Sequence, residues 1–285
     1  MNINFLFILV LMISSNILVF AKKTDEIVWL QNNRPPWMIS SGVHKNQGYG
    51  DKIRIYLTTH YLKNYKHLLL PVNPSRALKI AKTNNSNLCY GPIFKLKDSE
   101  KFFYYSKPIY TLPQGRIIVT NDTYGKLNSV DEISMTNLIQ NRNYTFGKIK
   151  GIYFYPIDVK NYENQKNVVT LSSTSPVVGL LQMMKKNRID WIYEYNVFIK
   201  WETFLNKDYS NLFKSIQVKE TQSLPISITY MACSKNSFGK SIIEKINKSL
   251  NKEHILKIRK EVRRWQLDEN TLSSFDKVNK EVFGY

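Results

Sequence analysis

Trp37, Arg76, Gly91, Pro92, Tyr110, Gly151, Tyr153 and Glu194 are the residues whose types and settings suit chemistry on a small molecule. Each stands at or just past the end of an apolar run. In an open α/β sheet that is where ligands bind, outside the carboxyl ends of the strands. Trp37 offers an aromatic wall, or simple packing at a rim. Arg76 offers a cation in the first turn of a helix, or half of a surface ion pair. Gly91 and Pro92 expose backbone groups at a strand end. Gly151 and Tyr153 stand where backbone N–H groups could meet an anion. Tyr110 follows a proline turn, and Glu194 suits a cationic ligand group. Ser173 and Thr174 read as helix caps.

Catalytic constellations are missing from the sequence. The four histidines, at 44, 60, 67 and 254, have no metal-ligand spacing. There is no Gly-x-Ser-x-Gly elbow. Gly239-Lys240-Ser241 has the end of a phosphate-binding loop, but Ser234 stands where its first glycine belongs. No catalytic residue, metal or cofactor is expected.

The elements that hold these residues follow an α/β rhythm. Ile27 to Leu30 is a strand, a proline-bearing turn carries Trp37, and Lys52 to Leu62 has helical spacing. Leu68 to Val72 is a second strand. Asn73 then caps a helix with Pro74 at its first position. Leu88 to Ile93 is the third strand, and Gly115 to Thr120 another. The rhythm restarts with a helix over Val130 to Asn141 and strands at Tyr144 to Ile149 and Val168 to Leu171. A helix through Leu180 and Met184 precedes a strand from Trp191. Ile226 to Cys233 is a long strand, followed by helices at Phe238 to Leu250 and Lys252 to Trp265. Two βα runs flank a central one, which predicts two α/β lobes joined by crossovers near Thr120 and near Gln222 to Pro225. The expected division is residues 22–120 plus 222–285 for lobe I and 121–221 for lobe II.

Residues 1–21 carry no charged side chain and end in Val19 and Ala21, small residues before Lys22. This predicts a secretory signal peptide cleaved near Ala21 and an exported, periplasmic chain. The length of 285 residues suits two lobes, and the hydrophobic fraction of 43% argues against disorder. Lys and Arg number 41 against 22 Asp and Glu, a formal charge of +19. The basic residues are scattered, so compositional drift explains them better than a nucleic-acid footprint, with steering of an anionic ligand second. Cys89 and Cys233 each end an apolar run. A disulfide and two buried thiols are both open, and a bond requires neighbouring strands.

The order of motifs resembles the bacterial periplasmic solute-binding proteins of family 3, the polar amino-acid type, as a divergent branch. The resemblance rests on five stretches in sequence order. They are Pro35-Pro36-Trp37, Gly48-Tyr49 before a helix, Phe103 to Tyr110, Asn187-Arg188-Ile189-Asp190, and Ser234 to Lys248. It implies a two-lobe fold with two hinge strands, closure over a small polar solute, and no catalysis. The implied partner is an inner-membrane ABC permease, or alternatively a signalling receptor, with the protein a monomer; an enzyme derived from a solute-binding protein is the lesser alternative. It also implies an arginine after the third strand for a ligand carboxylate, but Phe94 to Lys101 carries only Lys95, Lys97 and Lys101. At the position of the family's ammonium-binding aspartate stand Glu194 and Tyr195.

Overall fold

The computed structural model describes residues 26–83, 87–95, 99–152, 156–173, 175–221, 227–266 and 269–284. The expected signal peptide and the crossover expected at Gln222 to Pro225 lie outside these residues. Among them, no helix is long and apolar enough to cross a membrane.

Strand β1 (Glu26–Gln31) pairs in parallel with β2 (Lys66–Pro71) on one side and β3 (Leu88–Phe94) on the other. The parallel pairs are bridged by helices, as such connections require. Helix α1 (Tyr49–His60) leads to β2, and α2 (Pro74–Lys82) leads to β3. In α2 the Asn73 side chain accepts from the Arg76 backbone N–H at 2.8 Å, with proline in the first turn. Ala77 and Ala81, one turn apart, are its buried stripe.

Strand β12 (Ser227–Ser234) returns antiparallel to β3 and also pairs with β4 (Phe103–Tyr105) and β5 (Tyr110–Leu112). The order is β2-β1-β3-β12-β4, with β5 on β12 beside this path. In this register Cys89 faces Cys233, and the two form a disulfide with their Cα atoms 4.0 Å apart. Both are fully buried, so the bond staples the centre of the sheet.

The second sheet runs β7 (Glu132–Ile133), β11 (Phe213–Val218), β6 (Arg116–Thr120), β10 (Trp191–Glu194), β8 (Phe146–Ile149) and β9 (Val168–Leu171). The first change of sheet lies between Leu112 and Arg116, because β6 pairs with β10 and β11 and so belongs to the second sheet. Trp191 stacks on Phe146 with ring centroids 4.2 Å apart, anchoring that lobe's core.

Short helices α3 (Asn121–Lys126) and α4 (Met135–Gln140) follow β6, and α5 (Pro176–Lys185) and α6 (Asn196–Leu205) flank β10. The predicted helix over Val130 to Asn141 is shorter than expected, because Glu132 and Ile133 pair with β11 before α4 begins. After β12 come α7 (Ser237–Ser249), α8 (Lys252–Arg263) and α9 (Glu269–Phe283). The Asn279 side chain accepts from Thr111 N–H at 3.1 Å, which clips α9 onto β5.

Candidate functional site

Asp51 organises the loop after β1. It is fully buried in the first turn of α1 and accepts from Ile39 N–H at 2.7 Å and from the Gln31 side chain at 3.0 Å. Burial pushes its pKa up, while the Ile39 hydrogen bond and nearby Arg54 pull it back. Trp37 is laid over the start of the same helix. Its carbonyl accepts from Gly50 N–H at 2.7 Å, and the Pro36 carbonyl accepts from Tyr49 N–H at 3.0 Å. A Cβ on Gly50 would lie 2.6 Å from the indole, so only glycine lets the loop sit this close.

The loop thereby faces the second lobe. Arg34 reaches across to Glu194 at the end of β10, with its Nη2 at 2.6 and 2.5 Å from the two carboxylate oxygens. The side chains of the pair retain 8% and 3% exposure, so they are nearly dry. Glu194 also accepts from Tyr195 N–H at 2.8 Å. The Arg34 guanidinium lies 4.1 Å from the centroid of the Phe198 ring on α6. Beside this pair, the Asn33 side chain donates to Ser175, the N-cap of α5, at 2.9 Å. Gly151, at φ +82°, approaches α2 so closely that a Cβ there would lie 2.6 Å from Ser75 N. The lobes are closed on each other.

Between them lies a cavity of about 120 Å³. Lobe I contributes Asn32, Arg34, Trp37, Tyr90 and neighbours, and lobe II contributes Gly151, Ile152 and Phe198. The space also runs under α2, where Ala77, Leu78, Ile93, Phe103 and Tyr105 wall it. Burial raises the pKa of Tyr49, Tyr90 and Tyr110 well above the ordinary phenol value, so these residues are neutral. Tyr90 donates to Asn32 Oδ1. The amide nitrogen of Asn32 and the indole nitrogen of Trp37 are buried with no hydrogen-bond partner among the described residues.

Trp37, Pro92, Tyr110 and Gly151 therefore line one space. Glu194 is brought to it through Arg34. Gly91, at φ +141°, packs against the backbone of Tyr230 and Met231 and does not line the cavity. Arg76 is exposed on α2 and does not line it either. Tyr153 and Thr174 lie outside the described residues. The sequence places Asn32 on the binding rim with Pro36 and Trp37, by its position past the end of β1, but does not single out Arg34, Tyr90 or Phe198. The one signal available for Arg34 was its position just after β1, in the stretch already marked as a ligand rim. Among the described residues no group of His, Cys, Asp and Glu is placed to hold a metal ion.

This is the two-lobe, type II periplasmic-binding-protein fold. AbpA from Streptococcus pneumoniae, an amino acid ABC transporter substrate-binding protein bound to L-arginine, matches with TM-score 0.58 and 18% identity. That match covers 90% of this chain and 97% of that one. An ancestral arginine-binding protein bound to arginine matches with TM-score 0.59 and 16% identity, over 90% of this chain and 97% of that one. The periplasmic domain of BvgS from B. pertussis matches with TM-score 0.59 and 13% identity, over 91% of this chain and 46% of that one. No family model matches the sequence, and neither does any curated protein. The solved neighbours named for their ligands are binding proteins.

Proposed function

We propose that this chain is an exported solute-binding protein that traps a small molecule between its lobes and hands it to an ABC-type uptake system. The observation that carries this is the cavity bounded by both lobes, beside which the buried Arg34–Glu194 pair joins one lobe to the other. A ligand touching both walls stabilises the closed arrangement and shifts the hinge population toward it. Trp37, Pro92, Tyr110 and Gly151 are the proposed ligand contacts from the original set, joined by Asn32, Tyr90 and Phe198. Lobe I comprises the β1–β5 segment with β12 and the C-terminal helices, and lobe II comprises β6–β11. The disulfide suits an oxidising compartment, in keeping with export to the periplasm. The protein acts as a monomer, without catalysis or cofactor.

The likeness to the BvgS periplasmic domain favours a second reading, in which the same closure signals to a membrane receptor. A thermal-shift screen over amino acids, short peptides, polyamines, organic acids and neutral aromatics tests the shared premise. A ligand at 100 times its Kd adds about 2.7 kcal/mol of stability. Folded protein that shifts with no compound in the panel refutes the binding function. Pull-down of a permease subunit against a receptor ectodomain separates the two readings.

A further inference from the structure

The Glu194 carboxylate and the Phe198 ring together make a site for a planar cation, and it is filled from within by Arg34. Two hydrogen bonds to the carboxylate and a ring face under the guanidinium are how a free guanidinium ligand would be held. Arg34 comes from the opposite lobe, so it acts as a tethered cation that draws the lobes together. Its charge is balanced on the spot. Among the described residues it is the only charged side chain lining the cavity.

What remains of the cavity is aromatic and aliphatic. Trp37, Tyr90, Phe94, Phe103, Tyr105 and Leu78 wall the part under α2. Among the described lining residues a charged ligand would find no counter-charge beyond Arg34, already paired with Glu194, and it would leave water at a large cost. About 120 Å³ is several times what one water needs and accommodates on the order of ten non-hydrogen atoms.

Resting on the solute-binding reading above, we infer that the ligand is a neutral small molecule with an aromatic body, and that Arg34 fills the cleft's cation site. Ligands of this class enter beside Arg34 and slide their ring under α2. Free α-amino acids, with two charges to satisfy, are excluded while Arg34 is in place.

The test is a thermal-shift and calorimetric panel on the full chain with indole-3-acetamide, phenylacetamide, L-phenylalanine and L-arginine. The neutral amides are expected to raise Tm by roughly 5 °C or more at saturating concentration, and the two amino acids to leave it unchanged. Trp37→Ala, which removes an aromatic wall of the cavity, is expected to weaken phenylacetamide binding about tenfold. In Arg34→Ala, methylguanidinium is expected to bind the vacated site and restore compact X-ray scattering. Binding of L-arginine by the wild-type protein, with no response to the amides, overturns this inference and leaves the solute-binding reading standing. A wild-type protein that is folded and binds nothing in the wider screen overturns both.

Discussion

Neutralising Glu194 is the sharpest perturbation the cleft offers. Glu194→Gln keeps the side-chain shape and removes the charge that faces the Arg34 guanidinium at 2.5 to 2.6 Å. The pair is nearly dry, at 8% and 3% exposure. Removing one member of such a pair strands the other, which typically costs about 3–5 kcal/mol. Here an alternative exists, because the lobes can open and rehydrate Arg34. The folded lobes then absorb only part of that cost, and the remainder appears as a population shift. A loss of about 3 kcal/mol in closure corresponds to a change of roughly 100-fold in the closed-to-open ratio. The readout is therefore double: urea unfolding for stability, and small-angle scattering for lobe separation. Glu194→Gln is expected to increase the radius of gyration and lower the unfolding midpoint. Arg34→Met should do the same, and the double variant should lose less than the sum. Both single variants unchanged in scattering and within about 0.5 kcal/mol of wild type would refute the claim that this pair holds the lobes together.

Further outcomes follow from other contacts. Gly151→Ala places a Cβ against Ser75 at a positive φ, so it should hinder closure and weaken ligand binding at least tenfold while leaving each lobe folded. Isothermal titration beside circular dichroism checks this. Reducing Cys89–Cys233 opens a link across 144 residues of sequence. The chain-entropy model assigns a link of that span about 5 kcal/mol, so the unfolding midpoint should drop markedly in dithiothreitol. Glu202 on α6 is 5% exposed, and burial pushes its pKa up to about 7. A carboxyl raised on folding binds its proton more tightly in the native state. Its contribution to stability therefore falls as pH rises from about 4.5 to about 7. Glu202→Gln should remove that slope and stabilise the protein at pH 8 by about 1–3 kcal/mol, read from urea curves across pH.

The opening loop shows how far local signals reach. The strand, the Asn73-Pro74 helix start and the caps were legible because each depends on residues within one turn of chain. Gly48 and Gly50 were visible as glycines, but their reason was not. It lies in the approach of Trp37, eleven or more positions back in sequence. Helix α6 and strand β11 gave no clear periodic signal. Most of α6 is buried, from Asn196 to Glu202 with Lys200 half-buried, so the apolar pattern has no polar side to set its period. Helix α9 was missed because its amphipathic residues are diluted by Asn, Ser and Lys.

The sequence by itself determined the α/β rhythm, the two-sheet division and the presence of an aromatic rim at the end of β1. These follow from hydrophobic spacing and turn chemistry, which act over a few residues. Only the tertiary structure decided what the rim faces. The meeting of Arg34 with Glu194 spans 160 positions, and that of Cys89 with Cys233 spans 144. Partners that far apart are chosen by strand order and lobe closure, through burial that rewards one arrangement of the whole chain. The Arg34–Glu194 pair, and with it the charge balance inside the cleft, exists only in three dimensions.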